Sequence, residues 1–253
     1  MSDAATHPVA GGAETVPLFE LPDERGEAFA LAGKLSEGPV VLLFYRGDWL
    51  PYCNGQLVSF ARRYEEIERR GARVAGVSVD PPENNRAMVE KLALPFPLLS
   101  DPEGELAGRC GVWNEDEGVA EPAIVVLDAS GKVCYAYTGG RDFSDRPAED
   151  EVISALDEAR EAEGAAEAGG EPEIRVGSEE AAERTVRPER PPMPLESLKP
   201  YYTGAYFTSL ALKKRVGHLG ENEAAREIDD YREMTERYSE AVRQTVKVKK
   251  GQD

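Results

Sequence analysis

Short apolar runs alternate with amphipathic stretches from Val16 to about residue 160, the pattern of an α/β domain. Val40–Tyr45 (VVLLFY) is apolar at every position and predicts a central strand covered on both faces. From about Pro51 to Arg70 the apolar residues Leu57, Phe60, Ala61, Tyr64 and Ile67 recur at helical steps. Pro51 suits the first turn of that helix, and Gly71 after Arg69 and Arg70 suits its end. Val74–Val79 predicts a second buried strand, Asn85 to Leu92 and Gly104 to Cys110 further helices, and Leu98–Leu99 a short apolar segment. Ala123–Leu127, the turn Asp128–Gly131 and Lys132–Tyr137 read as a hairpin. Asp150 to Ala162 closes the domain as a helix.

Beyond that helix the pattern changes. Residues 163–200 are rich in Glu, Ala, Gly, Arg and Pro and lack an apolar period, which predicts a mostly disordered linker. Two helices follow, with Gly220 as the turn between them. Tyr206, Phe207, Leu210, Ala211, Val216 and Leu219 are expected on one face of the first; Ile228, Tyr231, Met234, Tyr238 and Val242 line the second. The chain thus divides into a disordered leader (1–12), an α/β domain (13–162), an acidic linker (163–200), a helical hairpin (201–246) and a tail (247–253). So much aromatic surface, with Tyr202 at its edge, must be covered by the α/β domain or by a second chain. A long flexible linker favours the second, a homo-oligomer through the hairpin.

Composition narrows the function. The 253 residues carry a net charge of -18, which disfavours nucleic acid and anionic membrane surfaces as partners. No apolar run is long enough to span a bilayer, and the small, polar, acidic start is unlike a targeting peptide, so a cytoplasmic location is expected. Three cysteines (Cys53, Cys110 and Cys134) fit a reducing compartment rather than a disulfide framework. The two histidines, His7 and His218, have no ligand cluster beside them, so neither metal nor cofactor is expected.

The chemistry concentrates in FYRGDWLPYCNGQL, Phe44 to Leu57. A buried strand ends, the chain turns through Gly47 and Asp48, and Cys53 falls in the first turn of the next helix. Unpaired amides and the positive end of the helix dipole favour a thiolate there, so its acidity is expected to be enhanced. Arg46 is expected to add positive charge. Position alone leaves open an inert buried cysteine.

This segment resembles the active-site loop of the alkyl-hydroperoxide-reductase/thiol-specific-antioxidant (AhpC/TSA, redoxin) family, in particular a peroxiredoxin-like branch reading F-Y-R-G-x-W-C-P-Y-C-N. VPLFELPDERGEAFAL, PFPLLSDPEGELAGRCGVW, EPAIVVLDASGKV and GGRDFSDRPAEDEVISAL resemble further family segments in the same order. The resemblance implies a thioredoxin-like three-layer sandwich with a central mixed sheet, to which the C-terminal hairpin is an addition. It also implies that Cys53 is the peroxidatic cysteine and that Pro122 stands where the fold places a proline beside it.

Two positions depart from the family. Leu50 stands where relatives carry Cys, Thr or Ser and can donate no hydrogen bond. The family's arginine near Pro122 is missing, leaving Arg46, Arg141 or Arg146 as substitutes. Cys110 and Cys134 read as packing residues, and Val58 occupies the position five residues past Cys53. The resemblance thus implies an antioxidant one-Cys thiol peroxidase that takes a hydroperoxide and is reduced by an external thiol. A non-catalytic redox sensor or binding module on the same fold is the alternative, and a biology centred on the hairpin is a third.

Overall fold

The computed structural model describes residues 14–138, 144–161, 170–183, 190–219 and 222–251. Strands β1 (Phe19–Pro22) and β2 (Ala28–Ala30) form an antiparallel pair, and α1 (Leu31–Leu35) leads to β3 (Val40–Phe44). Next come α2 (Pro51–Arg62), α3 (Tyr64–Glu68), β4 (Arg73–Ser78), α4 (Pro82–Leu92), β5 (Leu98–Ser100) and α5 (Glu105–Arg109). A small ladder, β6 (Trp113–Asn114) with β7 (Val119–Ala120), precedes β8 (Ala123–Leu127), β9 (Val133–Thr138) and α6 (Glu149–Glu161). The chain ends with β10 (Ile174–Arg175), α7 (Ser178–Ala182), α8 (Leu195–Leu219) and α9 (Asn222–Lys249).

The central sheet has the order β5-β4-β3-β8-β9, with β3, β4 and β5 parallel and β8 and β9 antiparallel to them. Its middle strand β3 is buried at all five positions, as an all-apolar strand covered on both faces must be. Val41, Leu43 and Tyr45 point toward α2, α4 and α6, while Val40, Leu42 and Phe44 point toward α1, α5 and the β10-β1-β2 sheet. These are the three layers of a thioredoxin-like sandwich. No described helix is long and apolar enough to cross a membrane.

Four expectations need correction. The helix from Pro51 breaks at Arg63, whose side chain bonds Glu66 and Asp150. No Gly or Pro marks the break, so tertiary contact decides it. The segment 163–200 is not wholly a linker: β10 pairs in parallel with β1 and buries Ile174, α7 buries Ala181, and α8 already starts at Leu195. The face of α8 is also turned from the expected one. Leu198, Tyr202 and Ser209 are buried, while Phe207 is 63% exposed and Leu210 and Leu212 also face outward. For α9 the expected face holds, with Met234, Tyr238 and Val242 buried.

The fourth correction concerns what covers that face. The α8–α9 pair docks within the chain, α9 lying along α2. Leu198, Tyr202, Met234, Tyr238 and Val242 are together worth on the order of 10 kcal/mol of gross apolar burial. Doubling a linker adds only about 0.6 kcal/mol of closure cost, so a long connection does not prevent docking in cis. The leader (1–12), Arg141 and Gly220 lie outside the described residues.

Candidate active site around Cys53

β3 delivers the chain to the site. Its last residue, Phe44, pairs with Ala123, and buried Pro122 lies directly before β8 at the same end of the sheet. Tyr45 continues the strand path, its amide donating to the Val77 carbonyl (3.0 Å) and its hydroxyl to Asn85 Oδ1 (2.6 Å). Residues 46–50 then form a tight loop. Gly47 takes φ 147°, and a side chain there would strike the Trp49 indole. Asn54 ties the loop to α2, its Nδ2 donating to the carbonyls of Asp48 (2.7 Å) and Leu50 (3.0 Å).

Cys53 occupies the third position of α2, after Pro51. The Arg46 amide donates to its Sγ at 3.4 Å, and the Gly47 amide also points to it. Arg46 thus serves the thiol through its backbone. Its guanidinium turns away to Glu117 and Glu121, with Trp49 stacked alongside. The cation beside Cys53 is Arg146, a buried residue whose Nε donates to Gln56 Oε1 (3.3 Å) and whose Nη1 donates to the Asp145 carbonyl (2.6 Å). Leu50 is buried at the helix start and donates nothing from its side chain.

The thiol is 0% exposed. Burial pushes its pKa up, opposed by the Arg146 charge and by the Arg46 and Gly47 amides. Desolvation thus works against the acidity expected from the helix start. The C-terminal hairpin packs on the same helix. Tyr202 and Tyr238 lie against Gly55, where an added Cβ would overlap both side chains. The Tyr202 hydroxyl donates to the Pro51 carbonyl (2.6 Å), and the two rings meet edge-on with centroids 5.9 Å apart. The chain entering α8 is held too. The Met193 amide donates to the Asp48 carbonyl (3.2 Å), and Arg190 stacks 4.4 Å from the Trp49 ring centroid. Hydrophobic periodicity placed Tyr202 and Tyr238 on a hairpin, but nothing in it announced that they would pack against Gly55 of α2.

A second polar cluster backs the loop. Asp48 pairs with Lys91, and nearby Asp80, almost fully buried, has its pKa raised to about 7 by burial and by the Asp48 charge. The other thiols stand apart. Cys110 belongs to the core on the opposite face of the sheet, where burial raises its pKa to about 12. Cys134 lies beside Val133, which pairs with Leu127, at the far end of the sheet from the Phe44 level that leads to Cys53. Those levels are four strand steps apart, about 13 Å. All three cysteines are free thiols.

Comparison with known proteins agrees with this geometry. The AhpC/TSA family model matches residues 13–136. Chloroplastic peroxiredoxin Q of Sedum lineare is 34% identical over 143 residues, 56% of this chain and 75% of that one. A putative peroxiredoxin of Mycobacterium tuberculosis is 37% identical over 146 residues, 56% of this chain and 94% of that one. Against chloroplastic peroxiredoxin Q of Triticum aestivum, 37% identical, the chain spans 56% of the relative's length. Among solved structures, the peroxidoxin BcpB of Mycobacterium tuberculosis superposes with a TM-score of 0.53 at 30% identity, covering 57% of this chain and 94% of that one. AhpC of Enterococcus faecalis, at 21% identity and a TM-score of 0.52, shares the fold. Arg146 and the hairpin lie beyond the matched residues 13–136. Fold, thiol position and these likenesses place the chain in the AhpC/TSA family of peroxiredoxin-like proteins.

Proposed function

We propose that the protein is a thiol peroxidase in which Cys53 reduces a hydroperoxide and an external thiol restores it. The observation that carries this reading is the set of groups converging on one sulfur: the amides of Arg46 and Gly47 and the cation of Arg146. Donors and positive charge stabilise the thiolate and the charge developing on the peroxide oxygens. The Cys53 sulfur attacks one peroxide oxygen, an S–O bond forms as the O–O bond breaks, and the thiol proton ends on the departing oxygen. A thiol and a hydroperoxide become a sulfenic acid and an alcohol, or water when the substrate is hydrogen peroxide.

The placement of the other thiols supports a one-Cys course. Cys110 sits across the sheet and Cys134 at its far end, whereas a disulfide needs Cα atoms about 4.4–6.8 Å apart. In this reading the sulfenic acid is resolved by an incoming thiol. Rapid mixing of the reduced protein with hydrogen peroxide tests the reading. One equivalent should be consumed, and dimedone should then label Cys53 by mass mapping. Cys53→Ser should consume none; peroxide consumption that survives this change means the chemistry lies elsewhere.

A further inference from the structure

The loop that brings two amides to Cys53 is held from behind by an ion pair. Arg46 and Gly47 point their amides at Sγ, and the next residue, Asp48, is tied to three other segments. Its carboxylate pairs with Lys91 of α4. Its carbonyl accepts from Asn54 Nδ2 (2.7 Å) and from the Met193 amide (3.2 Å). Lys91 closes the circle, its Nζ also donating to the Met193 carbonyl (2.9 Å). One clasp thus joins the loop, α4 and the segment entering α8, and Met193 lies beyond the residues that match the family. The Asp80 carboxylate stands behind the same loop, its Oδ2 3.6 Å from where a Cβ on Gly47 would lie. Lys91 interacts with both carboxylates.

Resting on the peroxidase reading, we propose that Asp48 and Lys91 are positioning residues of the Cys53 site, their ion pair holding the Arg46–Gly47 turn so that both amides stay on the sulfur. The Asp48 and Lys91 side chains are only 11% and 16% exposed. A pair so far out of water loses in desolvation about what it gains in attraction, so stability alone does not account for it. What it supplies is place. Donors aimed at a sulfur act by being fixed before charge develops, and a donor that drifts loses its share. Without Lys91, Asp48 and Asp80 become two carboxylates side by side in a buried site; either the loop shifts or one of them takes up a proton. Without the Asp48 charge, Lys91 loses its charged hold on the loop.

The test compares Lys91→Met and Asp48→Asn, each made in the full chain, by the pH midpoint of Cys53 alkylation and the second-order rate constant with hydrogen peroxide. The two variants remove charges of opposite sign and leave Arg146 in place. A through-space effect on the thiol would therefore move the midpoints in opposite directions, upward for Lys91→Met and downward for Asp48→Asn. Lost positioning moves both upward, because in both the amides that favour the thiolate leave the sulfur. Each variant should also slow peroxide consumption at pH 7 by roughly tenfold, the equivalent of one pK unit. Unfolding is told apart by its sign: it takes the thiol out of burial and brings the midpoint down toward about 8.5, the value of a free thiol. Any result other than a rise in both midpoints overturns the positioning role, and the peroxidase reading then stands if the wild type consumes peroxide. A rise in both variants of a protein whose wild type consumes none leaves the positioning of the thiol standing and overturns the peroxidase reading.

Discussion

At the scale of single residues, the site rests on a contest over one proton. Burial favours the neutral Cys53 thiol, while Arg146 and two amides favour the thiolate. Burial is the larger effect, so removing what opposes it should push the thiol further up. Arg146→Gln is expected to move the pH midpoint of Cys53 alkylation upward. It should also lower the peroxide rate at pH 7 by roughly tenfold, the equivalent of one pK unit. Mass-mapped alkylation across pH 6–10 measures the first, and an unmoved midpoint would remove Arg146 from the site. Arg46 differs: its guanidinium pairs with Glu117 and Glu121, and its amide donates to the sulfur. The sequence puts Arg46 in the loop before the cysteine, yet the direction of its side chain depends on carboxylates more than 70 residues away.

Among the elements, the hairpin and α2 depend on one small contact. Gly55 lies inside α2, where alanine would ordinarily stabilise a helix by about 1 kcal/mol. Here the added methyl meets Tyr202 and Tyr238, so Gly55→Ala should instead destabilise the protein. It should also speed iodoacetamide labelling of Cys53 relative to Cys134 by loosening the hairpin's seat. Chemical denaturation and mass-mapped labelling check the two effects, and a stabilised protein with unchanged labelling would mean that α9 does not bear on this turn. Element boundaries were legible where the signal was local: the all-apolar β3, the turn Asp128–Gly131 and the apolar face of α9. They were illegible where partners decide. The two residues of β10 pair with β1 across about 150 positions, and nothing in their own composition announces a strand.

For the whole molecule, a buried carboxyl couples stability to pH. Asp80 has its pKa raised to about 7, against about 3.9 in an unfolded chain, with Asp48, Lys91, Ser78 and Tyr45 around it. The raised value means that the folded state holds this proton more tightly. Its stabilising contribution is present in full below about pH 4 and is lost as pH rises through 7. Asp101, raised to about 6, works in the same direction. Asp80→Asn cannot ionise, so its fall in unfolding free energy between pH 5 and pH 8 should be smaller than the wild type's. Urea denaturation at the two pH values measures this, and equal falls would show that Asp80 carries none of the dependence. By itself the sequence determined the α/β class, the central strand and the cysteine at a helix start, because each rests on neighbours within a few residues. It determined the family too, through motifs in colinear order. Only the tertiary structure decided that Arg146 stands by the thiol, that the hairpin closes on its own domain, and that two tyrosines seat on Gly55. Those outcomes follow from packing between segments about 90 to 185 residues apart, which no local period encodes.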